Sequence, residues 1–339
     1  MERKNRKSTI SDVAKLSGVS IATVSRYIND SVGVRPATAE KILNAIRTLD
    51  YQLPKDSPLL KSGVCTNIIL INIPSISNPF YNDVVRGAQN AAARHGYYTF
   101  VNVQHLNSGT ERPFISMLKN INPCGMIVLN SVSRDLFDKL YPVIPFVQCC
   151  EYTENQDLVP YVSIDDISAT RGMMEYIFST GHRKIAFLSG PDRYKYARQR
   201  LAGYLLSLEE ENIPVRKDWI IQLSDLDFSI ALSSIQQLMS RSEHPDAIFT
   251  VSDVLAAAAI QGCRLAGLKG PDDVVVTGFD NVDISQISHP SITTINQPKY
   301  QLGYTACELL IEKLKVKDLP PRQLFLNTEL IIRESTKNI

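Results

Sequence analysis

With 339 residues, 44% of them hydrophobic, the chain is longer than one hydrophobic core usually serves, so a small domain beside a larger bilobed one is expected. No apolar run approaches the ~20 residues of a membrane helix, and the basic start, Met1 to Lys7, leads into polar residues instead of an apolar signal core, which sets aside a spanning or exported protein in favour of a cytoplasmic one. The net charge of +1 conceals an uneven spread: residues 1–61 hold 11 Lys+Arg against 6 Asp+Glu, and the remainder 25 against 29. A surplus of +5 at one end suits a polyanion there, although Arg3, Lys4, Arg6 and Lys7 alone would also make a solvated basic tail. The cysteines at 65, 124, 149, 150, 263 and 307 form no Cys-x-x-Cys pair, so neither a metal site nor a disulfide framework is expected.

In chain order, Ser11 is read as the cap of a short helix that carries Val13, Ala14 and Leu16 inward, and Gly18 as the turn that ends it. Ser20 then caps a second helix. Val24, Tyr27 and Ile28 share one side of it at helical spacing, and Ile21, Ala22, Ser25 and Arg26 share the other, which faces outward. A third helix, roughly Ala37 to Leu49, turns Ile42, Leu43, Ile46 and Leu49 inward. Three such helices make a core too small for catalysis, so the use is recognition. The spacing Ala14, Gly18, Val24 is that of a helix-turn-helix. On its outward face Arg26 can donate two hydrogen bonds to a guanine edge, and Ile21 and Ala22 can touch a thymine methyl.

The stretch Gln52 to Gly63 contains Pro54 and Pro58, which leaves two readings open: a short helix starting near Pro58, or a flexible linker. From Asn67 onward, aliphatic runs (68–73, 98–103, 125–129) alternate with amphipathic helical stretches, and a second set follows (185–188, 197–210, 247–250, 254–265, 274–278). That rhythm gives parallel β-α-β layering in two lobes with a ligand cleft between them. His182, at a helix-to-strand junction, reads as structural. No Gly-x-x-x-x-Gly-Lys loop, Gly-x-Ser-x-Gly elbow or His-Glu-x-x-His pair is present, so an enzyme is not expected, and no catalytic residue, cofactor or metal is assigned.

The run Ile10-Ser-Asp-Val-Ala-Lys-Leu-Ser-Gly-Val-Ser-Ile-Ala-Thr-Val-Ser-Arg-Tyr-Ile-Asn29 resembles the DNA-binding headpiece of the lactose-repressor/galactose-repressor family. Asn78-Pro-Phe-Tyr81, Gly181-His-Arg-Lys-Ile-Ala186, Arg200-Leu-Ala-Gly-Tyr204, Ser252-Asp253 and Gly278-Phe-Asp-Asn281 extend the resemblance in the family's order. It implies an all-α helix-turn-helix headpiece joined to an α/β bilobed domain similar to periplasmic sugar-binding proteins. The division it implies is a DNA-binding domain at 1–52, a hinge at 53–63 and an effector and dimerisation domain at 64–339. The first lobe would take about 64–162 and 292–319, the second about 163–291 and 320–339.

By the same resemblance Ile21, Ala22 and Arg26 touch base edges, and Ile10, Ser20, Thr23, Ser25 and Asn29 belong to the DNA face. Leu60 matches a leucine inserted into the minor groove, where Pro58 departs from the family's hinge helix. In the cleft, Phe80 and Tyr81 stack on a ligand or pack in the lobe core, Arg200 and Asp280 are polar anchors, and Tyr196 and Ser252 are further effector residues. Cys150 stands where an aspartate is common, and Leu226 where an aromatic is common. The implied protein is a transcription regulator, a repressor, acting as a homodimer on a pseudo-palindromic double-stranded operator, with affinity modulated by a small molecule of carbohydrate type. A solute-binding protein of the same bilobed fold is the alternative. The C-terminal Arg333 to Ile339 carries no heptads, which favours a dimer over a tetramer. Whether the effector strengthens or weakens DNA binding stays open.

Overall fold

The computed structural model describes residues 8–29, 34–49, 51–54, 66–154, 156–316 and 319–337. The chain divides into two units, Met1–Thr66 and Asn67–Ile339.

In the first unit, α1 (Ile10–Ser17), α2 (Ile21–Asn29) and α3 (Pro36–Thr48) enclose one small core in which Val13, Val24, Ile28 and Ile42 are fully or almost fully buried. The cap of α1 is Thr9, not Ser11. The Thr9 hydroxyl accepts from the Asp12 amide and the Asp12 carboxylate accepts from the Thr9 amide, at 3.3 and 2.8 Å. A reciprocal cap needs an acidic or amide side chain three residues on, which Thr9 has in Asp12, whereas Ser11 has Ala14. Leu16 is half exposed, and Ser17 takes the buried position. Ser17 lies four residues from Val13 and three from Ala14, the centre of the apolar stripe, and its hydroxyl is satisfied by the Val13 carbonyl at 2.7 Å. Gly18 has φ +70°. Tyr51 and Leu53 pack on the same core.

The second unit begins with β1 (Thr66–Ile73), α4 (Phe80–Arg94), β2 (Tyr98–Val103), α5 (Glu111–Ile121), β3 (Pro123–Val128), α6 (Arg134–Leu140), β4 (Phe146–Cys149) and β5 (Tyr161–Ser163). The chain then passes into α7 (Asp166–Ser179), β6 (Ile185–Ser189), α8 (Lys195–Glu210), β7 (Ile220–Gln222), α9 (Phe228–Met239), β8 (Ala247–Thr250), α10 (Asp253–Leu265), β9 (Val275–Asp280), α11 (Ile284–Ile287) and β10 (Thr293–Asn296). It ends with α12 (Lys299–Lys315), β11 (Gln323–Phe325) and β12 (Glu329–Ile331).

Two six-stranded sheets result, ordered β11-β5-β4-β3-β1-β2 and β12-β10-β9-β8-β6-β7. The registered pairs are parallel except β10 with β12. Parallel strands are covered by helices on both faces, which is why β3, β6 and β8 read as unbroken buried runs instead of alternating ones.

Strand pairing moves both lobe boundaries. β10 pairs with β9, so the second lobe continues to Asn296 and does not end near 291; β11 pairs with β5, so residues 323–325 belong to the first lobe. The chain therefore crosses between lobes after β5, after β10 and after β11. These strands are three or four residues long, too short for a periodicity that would reveal their sheet.

Helices α4 and α12 pack together on the first lobe. A β-carbon on Gly303 would lie 1.8 Å from the Val84 carbonyl oxygen, and one on Gly87 would lie 2.0 Å from that of Tyr300. The two glycines let the helix backbones touch.

Candidate functional site

The outward face of α2 is set by its buried one. With Val24, Tyr27 and Ile28 in the core, Ala22, Arg26 and Asn29 are exposed and Ile21 is half exposed. The Ser20 hydroxyl accepts from the Thr23 amide at 3.1 Å and shares a 2.8 Å hydrogen bond with the Thr23 hydroxyl. Asn29 donates to the Ser25 hydroxyl at 3.4 Å. Ser20 thus caps α2 as expected, and Ile10 sits half-buried at the start of α1. Arg26 has no ion pair or hydrogen bond among the described residues, so its guanidinium is available to a partner. Leu60, with the Pro58 segment, lies outside the described residues.

The second site lies between the lobes of the larger unit, in a narrow cleft lined by residues of both. It is assembled from the C-terminal ends of parallel strands and the helix starts beside them, where such folds place ligands. Phe80 and Tyr81, buried at the start of α4, meet edge to face with ring centroids 5.4 Å apart. The Asn78 side chain accepts from the Phe80 amide at 3.0 Å and fixes that helix start. A wider mouth shares Asn78, Tyr81, Tyr196 and Leu226 with the cavity.

The floor is a buried charge network. Arg200 on α8 donates to Asp166 Oδ1 at 2.7 Å and to the Val251 carbonyl at 2.6 Å, and its Nη1 lies 3.7 Å from Asp280 Oδ1. Its guanidinium stacks 3.5 Å from the Phe279 ring centroid and 5.0 Å from that of Tyr196. Lys195 donates to Asp166 Oδ2 at 2.6 Å and to the Ser163 hydroxyl at 2.9 Å. Burial works against ionisation of Asp166, but the cations of Lys195 and Arg200 outweigh it and hold the carboxyl below its ordinary range. Glu151 accepts from the first amides of α8, Lys195 and Tyr196, at 2.7 and 3.1 Å. Its burial nonetheless raises it, with Lys195 and those amides pulling the other way.

Asp280 is held differently. It ends β9 with φ +104°, and one carboxylate oxygen accepts from Gln297 at 2.7 Å. Burial pushes its carboxyl up to about 6 against the pull of Arg200 and Lys299. Lys299 spends its protons on the Asp280 and Asn281 carbonyls, at 2.6 and 2.9 Å. Beneath lies Asp253, which accepts from the Thr294 hydroxyl and the Val282 amide; burial, then the charge of Asp280, push it to about 8.

The structure thus brings Phe80, Tyr81, Tyr196, Arg200 and Asp280 onto one cavity, together with Cys150 and Leu226. Ser252 is placed otherwise: its hydroxyl caps α10, accepting from the Leu255 amide at 3.3 Å, and it does not line the cavity. His182 lies 3.5 Å from Asp246 Oδ1, away from the cleft. Sequence reasoning missed Glu151, Asp166, Lys195 and Gln297. The signal for two of them was present, since Glu151 and Asp166 follow β4 and β5 as Asp280 ends β9, each a carboxylate at the binding end of a parallel strand.

Across the mouth, a ring nitrogen of His105 meets the Tyr194 hydroxyl at 3.1 Å, and Ser131 donates to the Arg193 carbonyl at 2.8 Å. These contacts join the lobes. Among the described residues no helix is long and apolar enough to cross a membrane, and no three His, Cys, Asp or Glu side chains group as metal ligands.

Residues 9–53 match the bacterial regulatory proteins, lacI family, and residues 174–336 match the periplasmic binding protein-like domain. The HTH-type transcriptional repressor CytR of Escherichia coli (strain K12) is 32% identical over 340 residues, covering 99% of this chain and 98% of the relative. The structure of the transcriptional regulator CelR in complex with cellobiose superposes with a TM-score of 0.73 at 27% identity, covering 97% of this chain and all of that one. A lac repressor dimer bound to operator and the anti-inducer ONPF shares the fold, with a TM-score of 0.76 at 23% identity over 98% and 99% of the two chains. The chain belongs to the lacI family of bacterial regulatory proteins: a DNA-binding transcriptional repressor with a ligand-binding domain.

Proposed function

We propose that the repressor acts in the cytoplasm as a homodimer on a pseudo-palindromic operator, and that a neutral, polyhydroxylated small molecule of carbohydrate type, held between the lobes, adjusts its grip. Arg26 reads a guanine, Ile21 and Ala22 touch thymine methyls, and Ile10, Ser20, Thr23, Ser25 and Asn29 position the headpiece. One headpiece buries only about 600–1,000 Å² on DNA, the small end for specific recognition, so two act together. Within the cleft, Arg200 and Asp280 anchor hydroxyl groups, and Phe80, Tyr81 and Tyr196 cover the ligand's apolar face. The cleft binds without turning its ligand over.

The observation that carries the effector reading is the state of Asp280. Asp166 is neutralised on both oxygens by cations, but Asp280 keeps acceptor capacity at a wall shared with three aromatic rings, which suits hydroxyl donors. The complex of the related CelR with cellobiose supports the same ligand class. Calorimetric titration of the full chain with neutral mono- and disaccharides, and with nucleosides as the contrasting class, tests it. Binding of a saccharide that Asp280→Asn weakens at least tenfold is expected. Saturable binding confined to nucleosides, or saccharide binding indifferent to Asp280, removes the carbohydrate reading.

A further inference from the structure

Cys149 and Cys150 are used by neither site, yet they stand at the cleft wall. In an extended strand, successive side chains point to opposite faces, so neighbouring cysteines do not meet. Here β4 ends at Cys149, and Cys150 takes φ +68°, which breaks the alternation and leaves the two sulfurs 3.7 Å apart. The turn is pinned on both sides. The Cys150 amide donates to the Val162 carbonyl at 2.9 Å, its carbonyl accepts from Ser163 at 2.7 Å, and the next residue, Glu151, caps α8.

The sulfurs stand well beyond the ~2.05 Å of a disulfide bond, so the pair is a free dithiol. The two thiols nevertheless point to the same side and stand near enough that a small rotation of their side chains lets both bond one shared atom. No third protein ligand joins the pair among the described residues, so a metal ion that needs a full protein shell is not held. What fits is an atom that bonds two sulfurs and brings its own third substituent. Cys150 lines the cavity and is the first thiol met; Cys149 is fully buried and is reached through it. The hydrogen bond with Cys149, with burial, pushes the Cys150 thiol well above its ordinary range, which disfavours chemistry that needs a thiolate.

We propose that Cys149 and Cys150 form a dithiol site for trivalent organoarsenicals and kindred thiophilic metalloid compounds, with the organic substituent directed toward the interlobe cleft that Cys150 lines. An arsenoxide condenses with both thiols: the arsenic–oxygen double bond and two S–H bonds break, two As–S bonds form, and the oxygen leaves as water with both protons. Arsenic stays trivalent and no electron is transferred. The site rests on the effector reading of the cleft only for its consequence, an altered operator affinity in the loaded protein.

The full chain is treated with one equivalent of phenylarsine oxide and followed by intact mass and peptide mapping. The expected product carries one phenylarsenic per chain with loss of two hydrogens, mapped to the Cys149–Cys150 peptide. It is absent from Cys149→Ser and Cys150→Ser, whose melting curves report their folding. On the unaltered protein the adduct is reversed by ethanedithiol and survives the same concentration of mercaptoethanol, a comparison that decides the question should the serine variants not fold. No adduct, an adduct at other cysteines, one retained by either variant, or one stripped by the monothiol overturns the site and leaves the effector reading standing. An adduct at the pair that leaves operator affinity unchanged supports the site and overturns the effector role of the cleft.

Discussion

Asp166 sits between Lys195 and Arg200 with all three side chains buried, so removing its charge takes away the carboxylate that both cations contact directly and leaves Arg200 with Asp280 at 3.7 Å and Lys195 with the Ser163 hydroxyl. Breaking a buried pair in this way costs about 3–5 kcal/mol. Asp166→Ala should lose stability on that scale in urea unfolding, and a loss under 1 kcal/mol would show the cations to be compensated elsewhere. At the surface the outcome is different: Arg26→Ala should leave the melting curve in place while operator binding weakens by about 1–3 kcal/mol and selected sites lose preference at one base position. The raised carboxyls of Asp253 and Asp280 give stability a sign. Their folded values, about 8 and about 6, lie above those of the unfolded chain. Their contribution is therefore fully present below about pH 4 and is lost as pH rises, through about 6 for Asp280 and about 8 for Asp253. Asp253→Asn should flatten the decline between pH 6 and 8, measured as unfolding free energy against pH; an unchanged slope sinks that assignment. Arg200 and Asp280 were legible because their motifs match the family's. Lys195 and Gln297 were not, because a buried lysine or glutamine looks like any surface one until the carboxylate it serves is placed by the fold.

Among the elements, glycines separate two kinds of constraint. At Gly18 a β-carbon would meet nothing within 4 Å, so the penalty of Gly18→Ala is that of its positive φ alone, about 1–2 kcal/mol. Gly303→Ala instead drives a methyl into the Val84 carbonyl where α4 and α12 touch, and the helices must part; overpacking of this kind costs about 1–3 kcal/mol or more. Thermal melts should rank Gly303→Ala as the more harmful, with the reverse order showing that the helix pair yields easily. Sequence periodicity found the helices of the headpiece within a residue or two, since apolar spacing on a short helix is close to unambiguous. It misplaced the first cap and the inward residue of α1, because Ser11 and Leu16 each satisfy a local preference that Thr9 with Asp12, and the stripe centred on Ser17, satisfy better.

At the scale of the whole molecule, the alternation of strands and helices made two lobes legible, while β10 and β11 hid their sheets, since pairing is decided by partners distant in the chain. The contacts across the mouth offer a direct probe of closure. Tyr194→Phe removes the hydroxyl that meets His105 and should weaken effector binding a few-fold with little change in melting temperature; unchanged affinity would mean the closed form does not depend on that contact. The three crossings after β5, β10 and β11 carry a mechanical consequence. Covalent backbone barely stretches, so three tethers along one seam forbid the lobes to slide apart or past each other and leave rotation about the seam as the soft motion. A hinge with three pins behaves as a lever: a ligand that shifts the cleft walls slightly moves the far edge of each lobe much further, always along the same arc.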